Sequence, residues 1–374
     1  MNASLKGVQL RQIAQLLGKT RTGTKAVLIQ RIEEALENPK PLAPGTRILS
    51  IDLGIRNLAY SLLEIPNANH EPSATKAKKT RKKKNAPTTT SASTPVKPIL
   101  HAWERLALIP KIPKISKPAA APKKKAKAKQ SKKTKKSQQS DVEFEDDHDE
   151  SPAEGPTGAE AEAEAVADDK ATTPVIIEDF SPARLSAVAV DLILNRLLPL
   201  RPDVVTLEQQ RFRSMGGSGV YEWTLRVNSL EAMLYAILTT VRTLGRWPGE
   251  GRVEAVVARN VLEFMVMQER KGGVEVAGIW GKDADNKKVK KAMVGRMLAA
   301  GEGVSVSAEA EPVAREYLDV WNGKLRGKKK SDSFKKLDDM ADCLLQGIAF
   351  IRWQENTRRL TEGGIEALQD QMVD

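Results

Sequence analysis

The feature that most constrains this chain is a short apolar run closed by an acid, Arg47-Ile-Leu-Ser-Ile-Asp-Leu-Gly-Ile-Arg-Asn-Leu-Ala-Tyr60. Ile48, Leu49 and Ile51 read as a buried strand, Asp52 ends it, and Gly54 permits a tight turn into a second strand, Asn57 to Leu63. A lone carboxylate withdrawn from water there is unfavourable by several kcal/mol, so Asp52 should be paired, hydrogen-bonded or holding a cation. The plain alternative is a turn, since Asp before Gly often starts one, and on this stretch alone that reading is the stronger.

Two later stretches change the balance. Val204-Val-Thr-Leu-Glu208-Gln-Gln is a second apolar strand closed by a carboxylate, and Lys336 to Phe350 sets Asp338, Asp339 and Asp342 at the head of an apolar helix. Spacings of three and four residues bring these acids near one helical face. Capping and the helix dipole account for Asp338 or Asp339 but poorly for Asp342, a turn further in and flanked by Ala341 and Leu344. Three separate elements each presenting acid at an apolar edge suggest one shared centre, because hard divalent cations collect carboxylate oxygens.

In this order, strand-Asp-x-Gly, strand-Glu-Gln and helix Asp-x-x-Asp resemble the RNase H-like resolvases of the bacterial RuvC type, and in particular the fungal mitochondrial Holliday-junction resolvases. The likeness covers Arg47 to about Leu63, about Ile99 to Leu108 and about Ser181 to Asn356, with a long interruption. It implies an α/β fold with an RNase H-like mixed sheet flanked by helices. The implied activity is a homodimeric endonuclease that nicks a four-way junction symmetrically, leaving 5′-phosphate and 3′-hydroxyl ends. Asp52, Glu208, Asp342 and one or both of Asp338 and Asp339 would hold two Mg2+ ions about 4 Å apart, with Mn2+ able to substitute. Asp52, Glu208, Asp339 and Asp342 form the expected catalytic set, and no small-molecule cofactor is expected.

Composition agrees with a polyanionic partner, for the formal net charge is +12. No apolar run approaches the length that spans a bilayer, so no membrane anchor is expected. The single Cys343 excludes an intrachain disulfide and a Cys-rich zinc site. Of the three histidines, His70 and His148 lie in low-complexity sequence, which leaves His-based catalysis poorly supplied and carboxylate chemistry as the remaining option.

Residues 1–37 read as two helices and a turn: Val8, Leu10, Ile13, Leu16 and Leu17 keep helical spacing, Gly18 closes the first helix, and Ala26, Val27, Leu28, Ile32 and Leu36 form the second. Leu5-Lys-Gly-Val-Gln-Leu10, Leu16-Leu-Gly18, Thr22-Gly-Thr-Lys25, Leu28 and Arg31-Ile32 resemble a SAP motif, a DNA-binding module. That likeness gives Lys6, Lys19, Arg21, Lys25 and Arg31 phosphate contacts, against the alternative of a solvated cationic face. The first 32 residues contain no acid, which also suits a mitochondrial transit signal, while Lys-rich clusters further on suit a nuclear one.

The expected organisation is a linker at 38–46, a nuclease core at 47–356, and a C-terminal tail at 357–374. Insertions at about 66–97 and 110–175, made of basic, acidic and Ala-rich blocks, are expected to be disordered. Within the core, a helix from Ser181 to Leu198 leads to a strand from Asp203 to Glu208. After it, Arg211 and Arg213 are candidates for phosphates and Phe212 or Met215 for a wedge between bases, with packing of Phe212 under the loop as the alternative. A helix from Tyr221 to Leu244 carries a core or dimer stripe, and Arg252 to Ala258 is another strand. The helix Asp285 to Ala300, with Lys287, Lys288, Lys290, Lys291 and Arg296, is a candidate phosphate track. Two other functions stay open: an RNase H-like nuclease for hybrids or flaps, and a non-catalytic DNA-binding or packaging protein.

Overall fold

Strand β1 (Arg47–Asp52) is the inner strand of a six-stranded mixed sheet, flanked by β2 (Leu58–Glu64) on one side and β4 (Val204–Glu208) on the other. With β3 (Ile99–Leu106), β5 (Arg252–Val256) and the two-residue β6 (Ser305–Val306), the order is β5-β4-β1-β2-β3-β6. Strand β2 runs antiparallel to both β1 and β3, while β4 lies parallel to both β1 and β5. This computed structural model describes residues 5–67, 96–109, 179–210, 221–249, 251–272, 285–324 and 336–372. The expected insertions, and the loop carrying Arg211, Phe212, Arg213 and Met215, fall almost wholly outside those residues.

Side chains alternate across a strand, and the alternation sorts the core into two layers. Leu49, Ile51, Val205 and Leu207 face α3 (Pro182–Asp191) and α4 (Glu222–Thr243). Ile48, Ala59, Leu63 and Val204 face the other layer, built from α5 (Ala258–Lys271), α6 (Asn286–Ala300), α7 (Glu311–Trp321) and the long α8 (Leu337–Gly363). Helix α8 lies flush on the sheet because Gly347 has no side chain; a Cβ there would meet Leu63 Cδ1 at 2.7 Å and Ser50 Cβ at 3.1 Å.

The N-terminal helices α1 (Gly7–Leu16) and α2 (Lys25–Glu37) form the expected hairpin, with Thr24 capping α2 through Val27 N. The hairpin is seated on α5 and α8. Leu10, Ile13, Leu16, Leu28 and Ile32 share one core with α8. Gln15 Nε2 donates to Glu263 O (2.7 Å), Asn260 Nδ2 to Gly18 O (2.9 Å) and Asn356 Nδ2 to Leu16 O (2.9 Å). The stretch 38–46 is tied down as well, with Gly45 N donating to Ile65 O at 2.8 Å.

Three expectations need correction. The helix begun at Ser181 keeps α geometry only to Asp191, then widens over Leu192–Leu197 and tightens over Leu198–Leu200, where Pro199 has no amide to continue the ladder. Residues 357–371 are folded: α8 runs to Gly363, Ile365–Gln371 form a tight 3-10 turn, and Leu360 and Leu368 are buried in the core. The expectations also passed over α5, α7 and β6.

Candidate active site

The alternation that buries Ile48 and Val204 under α8 also points Asp52 and Glu208 to that face, since both acids sit an even number of residues further along their strands. Ile51 pairs with Leu207 in the parallel register, so the two acids that follow lie side by side at the same strand ends. Helix α8 is fixed over those ends by a buried glutamine. Gln346 Nε2 donates to Ile51 O (3.2 Å), Thr206 O (3.3 Å) and Thr206 Oγ1 (3.2 Å). One turn earlier on the same helix stands Asp342, with Asp339 and Asp338 a further turn towards its start. Trp103 Nε1 and Ser61 Oγ reach from the sheet to the carbonyls of Met340 (2.9 Å) and Cys343 (3.1 Å), which holds the acidic turn in register with β2 and β3.

These carboxylates act on one another. Burial raises the Asp52 carboxyl well above the ordinary range, and a hydrogen bond to Glu208 and the charges of Glu208, Asp342 and Asp339 raise it further. Asp339 is pushed up to about 6, chiefly by burial and then by Asp338. Asp342 is also pushed up to about 6 by burial, against the pull of Lys290. Three cations answer the α8 acids: Lys290 Nζ lies 2.5 and 2.6 Å from the two oxygens of Asp342, Lys287 Nζ 3.5 Å from Asp338, and Arg105 Nε 3.5 Å from Asp339. Arg105 also donates to Asn57 Oδ1 at 3.0 Å, which ties β3 to the turn after Asp52.

Turned onto these partners, the acids do not enclose an ion as they stand: among the described residues no three acidic, histidine or cysteine side chains are grouped closely enough to hold one. The donor chemistry nevertheless fits a hard divalent cation. Every candidate ligand is a carboxylate, and the buried Oδ2 of Asp339 accepts no hydrogen bond. A buried carboxylate oxygen held by an ion pair at 3.5 Å but by no hydrogen bond, inside a cluster of like charges, is a costly arrangement that an added positive ion would relieve.

The shifts carry a pH prediction for chelated protein. With its folded-state pKa raised from 3.8 to about 6, Asp339 keeps a proton that the unfolded chain has already lost, so its stabilising contribution is present at acid pH and is lost as pH rises through about 6. Asp339→Asn should therefore flatten the fall in melting temperature between about pH 4 and 7 and recover about 1–3 kcal/mol near neutrality. Thermal denaturation of both proteins in chelator across that range checks it; parallel profiles would refute it.

The structure sorts the other candidates. On α6, Lys290 turns to Asp342, Lys287 to Asp338, and Arg296 to Glu269 at 2.5 Å, so this helix is not the continuous phosphate track its sequence suggests. Lys288 pairs with Asp285 at its own helix start. In the hairpin, Arg31 donates to the carbonyls of Thr20 and Thr22, and Arg21 pairs with Glu263 at 3.0 Å, whereas Lys6, Lys19 and Lys25 are exposed. Cys343 is buried and reduced. Sequence reasoning missed Arg105; its place near the end of the third strand, opposite Ala59 of β2, was the available signal.

Comparisons with known proteins place the chain in a family. A SAP domain model matches residues 3–37. The mitochondrial cruciform cutting endonuclease 1 of Schizosaccharomyces pombe is 24% identical over 353 residues, covering 94% of this chain and 93% of the relative. The protein of the same name from Saccharomyces cerevisiae is 26% identical over 209 residues, covering 49% and 57%. The crystal structure of the yeast mitochondrial Holliday junction resolvase Ydc2 shares the fold, with a TM-score of 0.50 and 21% identity over 96% of this chain and 98% of that one. The model for the mitochondrial resolvase Ydc2 / RNA splicing MRS1 family matches residues 48–360, and the chain belongs to that family.

Proposed function

We propose that this protein is a mitochondrial endonuclease that resolves four-way DNA junctions, with Asp52, Glu208, Asp342 and Asp339 as its catalytic carboxylates. The observation that carries the reading is the meeting of acids from β1, β4 and α8 at one end of the sheet, each half-buried and so within reach of a substrate. The relatives' names, cruciform cutting endonuclease and Holliday junction resolvase, describe this activity, and the SAP-like hairpin adds a DNA-binding element.

Activity in this family is dependent on divalent metal; we assign two Mg2+ ions to Asp52, Glu208, Asp342 and one or both of Asp338 and Asp339. When bound, such ions polarise the attacking water and neutralise the leaving 3′-oxygen. The protein's own part is positional. Gln346 locks α8 to the strand ends and thereby sets the separation of Asp342 from Asp52 and Glu208. Lys290, Lys287 and Arg105 balance the α8 acids, so that the carboxylate cluster folds without flying apart. The hydrogen bond between Asp52 and Glu208 ties the two acids together on the strand side.

A homodimer would present two such sites to the two opposing strands of a symmetric junction. Exposed apolar side chains on the α3–α4 layer support that arrangement, with Val190 on α3, Leu194 in the widened turn that follows it and Leu225 on α4. The test is incubation of the full chain with a synthetic four-way junction, with Mg2+ or with chelator. We expect paired nicks, religatable without further treatment, only with the metal. Tight junction binding with no metal-dependent cleavage would favour a packaging protein, and preferential cutting of RNA/DNA hybrids would favour another RNase H-like substrate.

A further inference from the structure

The seam between the N-terminal hairpin and the core is a groove with an unbalanced charge. Its main part is a cleft of about 530 Å³ with Arg11 on the α1 wall and Arg270 and Lys271 on the last turn of α5. A smaller hollow of about 220 Å³ continues it past Arg21 to Arg259. The acid that lines both parts is Glu263, and it is already shared by Arg21 at 3.0 Å and Arg259 at 2.8 Å. Among the described residues, Arg11, Arg270 and Lys271 have no carboxylate partner, and all three are exposed.

Scattered unpaired cations are usually a solvated face. Here they come from two distant parts of the sequence and are held opposite one another by a rigid seam. Gln15 to Glu263 O at 2.7 Å and Asn260 to Gly18 O at 2.9 Å fix the walls, and Gly18 lies directly against the Trp353 ring. Preorganised cations lose less freedom when an anion arrives, and a row of them suits a regularly charged polymer better than a single small anion.

We infer that this groove, built jointly by the hairpin and α5, binds the phosphodiester backbone of a DNA duplex arm, with Arg11, Arg270 and Lys271 as its phosphate contacts. The inference rests on the junction-binding reading above and moves part of the arm-binding surface off the hairpin and onto the nuclease core. None of these three residues belongs to the set that the SAP likeness assigns. Two of that set, Arg21 and Arg31, are instead engaged in shaping the groove and its turn.

The test is Arg270→Ala/Lys271→Ala, alone and with Arg11→Ala, measured for binding to a labelled four-way junction over a salt series in the non-cleaving Asp52→Asn background. Each phosphate contact contributes close to one unit of slope in log affinity against log salt, so the double variant should lose about two units and the triple about three. Affinity near physiological salt should fall by about tenfold or more, and in otherwise wild-type protein the defect should appear in KM rather than kcat. Because the three side chains are exposed, the melting temperature should hold, which separates this loss from misfolding. An unchanged slope in both variants overturns the groove while leaving the nuclease reading intact. If the wild-type chain neither binds nor cuts a junction, it is the underlying reading that fails.

Discussion

Asp52→Asn and Glu208→Gln should each abolish metal-dependent junction cleavage, by on the order of 10³-fold or more, while junction binding survives. The amides keep the shape of the side chains but remove the charge that would draw a cation to the strand ends. A second effect should accompany the loss. In the metal-free protein, Asp52 is a carboxyl that burial and three neighbouring acids hold well above its ordinary range. Replacing it with a neutral group removes that repulsion, so the variant should melt higher than wild type in chelator and gain less from added Mg2+ or Mn2+. Cleavage assays paired with thermal denaturation read both effects. A variant that is inactive but equally stabilised by metal would show that Asp52 acts on the substrate without holding an ion. Undiminished cutting would remove it from the chemistry.

Gly18→Ala should be the most damaging small substitution outside the carboxylate centre. Gly18 has a φ of +71°, and a Cβ there would lie 2.3–2.8 Å from atoms of the Trp353 indole. The ring cannot easily yield, since it also packs edge-on against Phe264 at 5.8 Å. Left-handed backbone strain and the overlap together should cost about 3–5 kcal/mol and lower the melting temperature by on the order of 10 °C. Trp353→Leu in the same chain should recover part of the loss by relieving the overlap while the backbone strain remains. The coupling between the two changes is measured by a double-mutant cycle in denaturant. Additive losses would mean that the hairpin does not rest on that ring.

The strands that carry the site were readable because each is an apolar run stopped by an acid, and such a stop has few cheap explanations. Helix α8 was readable for the same reason, as its acids precede a long apolar stretch. Helix α5 was not. Val261, Phe264, Met265, Val266 and Met267 are buried in it, but Val257, the residue before its start, offers no capping side chain, and its apolar residues run on from those of β5. The end of α8 was hidden by composition: Glu355, Arg358, Arg359 and Glu362 look like a solvated tail, whereas Arg358 pairs with Glu355 and Glu362 along the helix, Arg359 reaches Asp370 in the turn that follows, and Leu360 is left to the core. The pairing of Lys290 with Asp342 was illegible in principle. A lysine on a basic helix carries no mark of whether it faces a phosphate or an acid until the fold sets α6 beside α8.

The seating of the N-terminal hairpin makes it part of the core on which it rests. Here α1 begins at Gly7, and a peptidase cutting beyond it would take away the wall that covers Trp353 and strand Asn260 and Asn356 without the carbonyls they bond. Recognition module and scaffold are the same stretch of polypeptide, so the nuclease core is left incomplete wherever the hairpin is lost.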